Sequence, residues 1–115
     1  MTFKHEKTGD DSLHIQVEGD LLGLAEEQDI LDFIKQETEA GSKYCTVDIS
    51  EVGYMNSTGL SLLIRMLTRF RNYGGDLALV NPSEQVTKLL VITKLQAIFT
   101  IAKTREEALQ QLRKD

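Results

Sequence analysis

The chain has 115 residues, the size of one domain, and its 41% hydrophobic and 27% charged residues exclude a disordered, collagen-like or repeat architecture. Eighteen acidic against thirteen basic side chains give a formal net charge of −5, which offers no general attraction to nucleic acid or to anionic membranes. No purely apolar run exceeds four residues, as at 89–92, and residues 1–10 lack the apolar stretch of a secretory signal. A single cytoplasmic domain over residues 1–115, without membrane insertion, is therefore expected.

Residues 3–7 and 13–18 form the first two strands. Leu13, Ile15 and Val17 alternate with His14, Gln16 and Glu18, the period of a half-buried strand, and Gly9-Asp10-Asp11 turns the pair into a hairpin. His14, on the polar face, is expected to be solvated. Over residues 25–40, Ile30, Leu31 and Ile34 recur at helical spacing while Glu26, Asp29, Lys35, Gln36 and Glu39 face water, and Gly41 ends the helix. Residues 44–49, β-branched at Thr46, Val47 and Ile49, suit a strand at the sheet centre. Within it Cys45, the single cysteine, has no partner thiol and reads as a small buried hydrophobe.

After a loop over residues 50–55, Asn56-Ser57-Thr58-Gly59 leads into a helix carrying Leu60, Leu63, Ile64, Leu67 and Phe70 on its core face. Leu62, Met66 and Tyr73 fall on its flank. Either neighbouring helices cover that flank or it is an exposed docking patch, with Leu62 and Met66 bordering Ser57 and with Arg65 and Arg69 available for charge pairing. Asn72-Tyr73-Gly74-Gly75 ends the helix and residues 76–80 supply a strand. Pro82 and Ser83 open a third helix with Val86, Leu89 and Leu90. Residues 98–102 form a last strand. Thr104 and Glu107 have the spacing of a capping box, and Ala108, Leu109 and Leu112 form one face of a final helix.

The order ββαβαβαβα implies an α/β fold: a mostly parallel central sheet, one antiparallel strand from the N-terminal hairpin, and four flanking helices. Sites in such sheets favour the carboxyl ends of strands, where the strand over 44–49 delivers the chain to Asn56-Ser57-Thr58-Gly59. Ser57 there meets a helix start, whose free N–H groups and dipole favour negative charge. From the residues alone, a capping role for Asn56 or Ser57 is the simpler reading, and a cap hydroxyl can still be phosphorylated.

No catalytic constellation emerges, so the chain is not read as an enzyme and no cofactor or metal is expected. Gly74-Gly75 precedes a strand, the wrong order for cradling a nucleotide. Asp10-Asp11, Asp48 and Lys103 lack the placement of a phosphorelay receiver, whose acidic pair lies at a strand's carboxyl end. His5, His14 and Cys45 do not converge on a thiol-enzyme arrangement. Asn56-Ser57-Thr58 matches a glycosylation sequon without the secretory signal that would give it meaning.

The segment Val47-Asp48-Ile49-Ser50-Glu51-Val52-Gly53-Tyr54-Met55-Asn56-Ser57-Thr58-Gly59-Leu60 resembles the signature of STAS domains, specifically of bacterial anti-sigma factor antagonists. Val17-Glu18-Gly19-Asp20-Leu21 is similar to the family's strand-ending Gly-acid-Leu, and Gly74-Gly75 to its turn before a strand. The resemblance implies partner exchange. The unphosphorylated domain binds an anti-sigma factor, usually a serine kinase with a GHKL-type ATP site, and frees a sigma factor; phosphorylation breaks that complex and a PP2C-type phosphatase restores it. The phosphoacceptor position falls on Ser57, with Thr58 and Gly59 beside it. The family's preceding aspartate falls on Asn56, which keeps the shape and an acceptor oxygen but not the charge. A phosphate at a helix start should leave the helix intact and act at the interface, where a dianion must lose water. On this reading Asn56, Ser57, Thr58, Gly59, Leu62, Arg65, Met66 and Arg69 are the partner-binding candidates. Two alternatives share the same fold: a non-switching STAS scaffold subunit of a transport complex, and a phospho-regulated switch acting outside transcription.

Overall fold

The computed structural model describes residues 1–23 and 27–114. Among them the elements run β1 (Thr2–Lys7), β2 (Ser12–Glu18), α1 (Glu27–Glu39), β3 (Tyr44–Glu51), α2 (Ser57–Asn72), β4 (Asp76–Val80), α3 (Glu84–Ile92), β5 (Thr100–Ala102) and α4 (Arg105–Leu112). The sheet order is β1-β2-β3-β4-β5, with β1 antiparallel to β2 and every other pairing parallel. This is the α/β architecture that the alternation of elements implies. Ala25 and Glu26, which the apolar spacing assigns to the first turn of α1, lie outside the described residues.

Side-chain alternation divides the sheet into two unequal faces. Leu13, Ile15, Val17, Val47, Ile49, Leu77 and Leu79 share one core with Ile30 and Ile34 of α1, Leu63, Met66 and Phe70 of α2, and Val86 and Leu90 of α3. Ala78, Val80 and Ala102 turn to the opposite face, where Ala108 and Leu112 of α4 cover them. β4 is thus buried on both faces, which is why it reads as a continuous apolar run. Cys45 lies fully buried on the larger-core side, and burial raises its thiol pKa far above the ordinary value.

Two local expectations change. The strand expected over residues 98–102 shortens to Thr100–Ala102. Lys94 ends α3 in the left-handed region at φ 63°, and the chain then makes a 3-10 turn over Leu95–Ala97, in which Ile98 N–H donates to Leu95 O at 3.0 Å. His14, expected to be solvated, is half-buried. It faces the side of the sheet that carries α4, and its Nδ1 lies 2.7 Å from the Thr46 hydroxyl on the neighbouring strand. The alternation gave its direction correctly, but the bond to Thr46 of β3 holds the ring against the sheet.

Candidate functional site

The carboxyl ends of β2 and β3 do not splay apart. Beyond the last strand pairs the chain continues as two segments bonded to each other: Gly19 N–H donates to Glu51 O, Leu21 N–H to Tyr54 O, and Asn56 N–H to Leu21 O, at 3.0–3.2 Å. Asp20 adds a carboxylate oxygen that accepts the Tyr54 N–H at 3.1 Å. Residues 19–22 and 51–56 therefore form a braced platform, and α2 starts from it.

Asn56 is the N-cap of α2. Its Oδ1 accepts the Gly59 N–H at 2.9 Å, the bond that satisfies one of the donors a helix start leaves without a carbonyl. Its Nδ2 donates to Leu22 O at 3.0 Å, so the same side chain also holds the opposite segment. Ser57 follows as the first residue of α2, exposed, with a further exposed residue in Thr58. Gly59 approaches Leu21 so closely that any side chain would overlap the Leu21 carbonyl. Thr58 packs its methyl group on Gly23 in the same way, and Gly23, at φ +80°, occupies a conformation that glycine alone adopts readily. The Gly23 N–H in turn donates to the carboxylate of the buried Glu27.

Two hollows flank this turn. On one side a groove of about 510 Å³ runs between the start of α2 and α3, with Tyr54, Ser57, Leu60, Val86, Leu89 and Ile92 among its lining residues. Its rim is unusually apolar for a surface, since Tyr54 is 58% and Ile92 77% exposed. Ser83, the N-cap of α3, donates its hydroxyl to Val52 O at 3.1 Å and so fixes α3 against the platform. On the other side a smaller hollow of about 200 Å³ is lined by Gly23, Glu27, Thr58 and the exposed Arg65.

The structure separates the residues singled out by the sequence. Asn56, Ser57, Thr58 and Gly59 form one turn, and Arg65 lies one to two helical turns further on beside the smaller hollow. Leu62 and Met66 belong to the core, at 3% and 0% exposure, which corrects the docking-patch reading for these two residues in favour of the covered-flank alternative. Packing within the core covers these two residues, whereas Tyr73, further along the same flank, stays 40% exposed. Arg69 is also committed internally: its Nε donates to Thr38 Oγ1 at 2.8 Å, its Nη2 to Tyr73 Oη at 2.9 Å, and its guanidinium lies 4.3 Å from the Tyr73 ring centre. The apolar surface next to Ser57 comes instead from Tyr54 and α3. Its signal was the run Leu89-Leu90-Val91-Ile92, because four consecutive apolar residues go all the way round a helix and cannot all face one core.

Among the described residues no group of three or more His, Cys, Asp or Glu is placed to hold a metal ion, and no helix is long and apolar enough to cross a membrane.

The STAS domain family model matches residues 4–108, and the chain belongs to that family. The anti-sigma-B factor antagonist of Bacillus subtilis is 35% identical over 74 residues, which is 64% of this chain and 65% of that protein. A relative from Thermotoga maritima is 33% identical over 66 residues, 57% of this chain and 58% of its own length. The chain thus spans less than two thirds of the curated relatives it matches. The crystal structure of the Thermotoga maritima protein TM1081 superposes with a TM-score of 0.84 at 25% identity, over 97% of this chain and 95% of that one. The Bacillus cell fate determinant SpoIIAA in its phosphorylated form gives 0.76 at 21% identity, over 97% of this chain and all of that one, a likeness of fold.

Proposed function

We propose that the protein is an anti-sigma factor antagonist that works by partner exchange and has no catalysis of its own. Its unphosphorylated form binds an anti-sigma factor, a serine kinase with a GHKL-type ATP site, and frees a sigma factor. Phosphorylation of Ser57 releases that partner, and a PP2C-type phosphatase reverses the step. The observation that carries this reading is the position of Ser57, exposed at the first turn of α2 and lining an apolar groove open to solvent. The relatives named as antagonists of anti-sigma factors support it.

The physical consequence of modification follows from that position. A phosphoserine carries a charge of about −1.5 to −2, which the free amides and dipole of a helix start accept without unfolding it. At the mouth of the groove lined by Tyr54, Leu89 and Ile92 the same charge opposes burial, because a partner that covers the groove would have to strip its water. The partner-facing surface on this reading is the turn from Asn56 to Gly59, the groove beside it, and Arg65.

The test uses serine kinases of the anti-sigma type from the same genome, with ATP and intact-mass analysis. One phosphate should be added to the wild type and none to Ser57→Ala, and the modified protein should lose most of its affinity for the kinase. Undiminished affinity of the phosphorylated form would sink the switch. Binding without phosphate transfer would leave a phosphorylation-independent binder, and no binding to any such kinase would favour the non-switching subunit of a transport complex.

A further inference from the structure

Asn56 uses its carboxamide twice, as an acceptor for Gly59 N–H and as a donor to Leu22 O. As helix N-caps, Asn and Asp are nearly interchangeable. As donors they differ completely, because an ionised carboxylate has no hydrogen to give. An aspartate here would keep the cap and set an anionic oxygen against the Leu22 carbonyl. The next side chain in sequence is Ser57, so any phosphate on it would stand beside whatever charge residue 56 carries. With a carboxamide, that phosphate meets the positive end of α2 and no like charge from its neighbour.

We propose that Asn56 is a positioning residue that latches the 19–22 segment to the start of α2 through its donor N–H and keeps this turn uncharged, so that phosphorylation of Ser57 leaves the folded domain undestabilised. The second half of this statement rests on Ser57 being the phosphoacceptor; the latch stands without it. Asn56 thereby acts through the placement and electrostatics of Ser57.

Thermal unfolding of the wild type, Asn56→Asp and Asn56→Ser at pH 7.5 and pH 4 tests the latch. At pH 7.5 Asn56→Asp should melt about 5 °C below the wild type. At pH 4 the gap should narrow, because the protonated carboxyl regains a donor for Leu22 O. Asn56→Ser, which loses the carboxamide donor without adding charge, should show a gap that does not depend on pH. Phosphoserine installed at position 57 by an expanded genetic code should leave the melting temperature of the wild type and of Asn56→Ser unchanged or higher, and should lower that of Asn56→Asp. No gap at pH 7.5, or one that is the same at pH 4, overturns the latch. Equal destabilisation by phosphoserine in all three backgrounds overturns the uncharged-turn half. Failure of the phospho-switch reading would show separately, as no phosphate transfer by any kinase or as unchanged partner binding, with these unfolding profiles intact.

Discussion

The backbone of Gly59 lies directly against the carbonyl of Leu21, with no room between them for a side chain. In an ordinary helix, alanine is better than glycine by about 1 kcal/mol. Here the sign should reverse. Gly59 has ordinary helical backbone, so the loss in Gly59→Ala comes from overlap alone and should cost about 1–3 kcal/mol, the range for overpacking a tight site. Urea unfolding measures it. Hydrogen exchange should quicken first at Leu21 and Asn56, whose amides form the bonds that the forced separation stretches.

Met66 and Ile92 make a matched pair of apolar residues with opposite environments, 0% and 77% exposed. A charge placed at Met66 would be buried without a partner, so Met66→Lys should cost several kcal/mol and reduce soluble yield. Ile92→Glu should stay within about 0.5 kcal/mol of the wild type, as substitutions at exposed positions do. If the groove beside Ser57 is the docking surface, Ile92→Glu should nevertheless abolish kinase binding. A pull-down alongside a melting curve for each variant reads both effects.

The same contrast separates the two arginines of α2. Arg69 joins α2 to α1 through Thr38 and stacks on Tyr73, so Arg69→Ala should lose about 1.5–3 kcal/mol of stability, the range for hydrogen bonds to charged groups. Arg65 is exposed beside the smaller hollow, and Arg65→Ala should leave stability unchanged while slowing association with the partner in a salt-dependent way. Stopped-flow binding at two ionic strengths checks this.

Much of this was legible because the signals are local. Thr104 caps α4 by accepting the Glu107 N–H at 3.2 Å, and Ser83 caps α3, both as their sequence positions indicate. The position of Ser57 at a strand's carboxyl end followed from element order and from the family signature. What sequence could not supply were relationships between segments far apart in the chain. That Leu62 and Met66 are covered depends on how wide a stripe α1 and the sheet together bury. That Arg69 is engaged depends on Thr38, 31 residues away. The bond from Asn56 to Leu22 O spans 34 residues, and no periodicity encodes it.

His14 gives the domain a pH dependence whose sign is fixed by its surroundings. Burial is the largest influence lowering its pKa and the charge of Arg105 on α4 is the next, against opposing contributions from Asp48 on β3, Glu6 on β1 and Glu106 on α4. The folded state therefore favours the neutral ring more than the unfolded chain does, where a histidine titrates near about 6.5. As pH falls below that value the unfolded chain takes up the proton first, and stability declines until the pH has passed the lower folded value. The contribution is thus fully present above pH 7 and lost in mild acid. His14→Gln, which can still bond Thr46 but cannot titrate, should lose less stability than the wild type between pH 7.5 and pH 5. Paired urea titrations at the two pH values measure the difference, and equal losses would mean that groups other than His14 set the acid sensitivity.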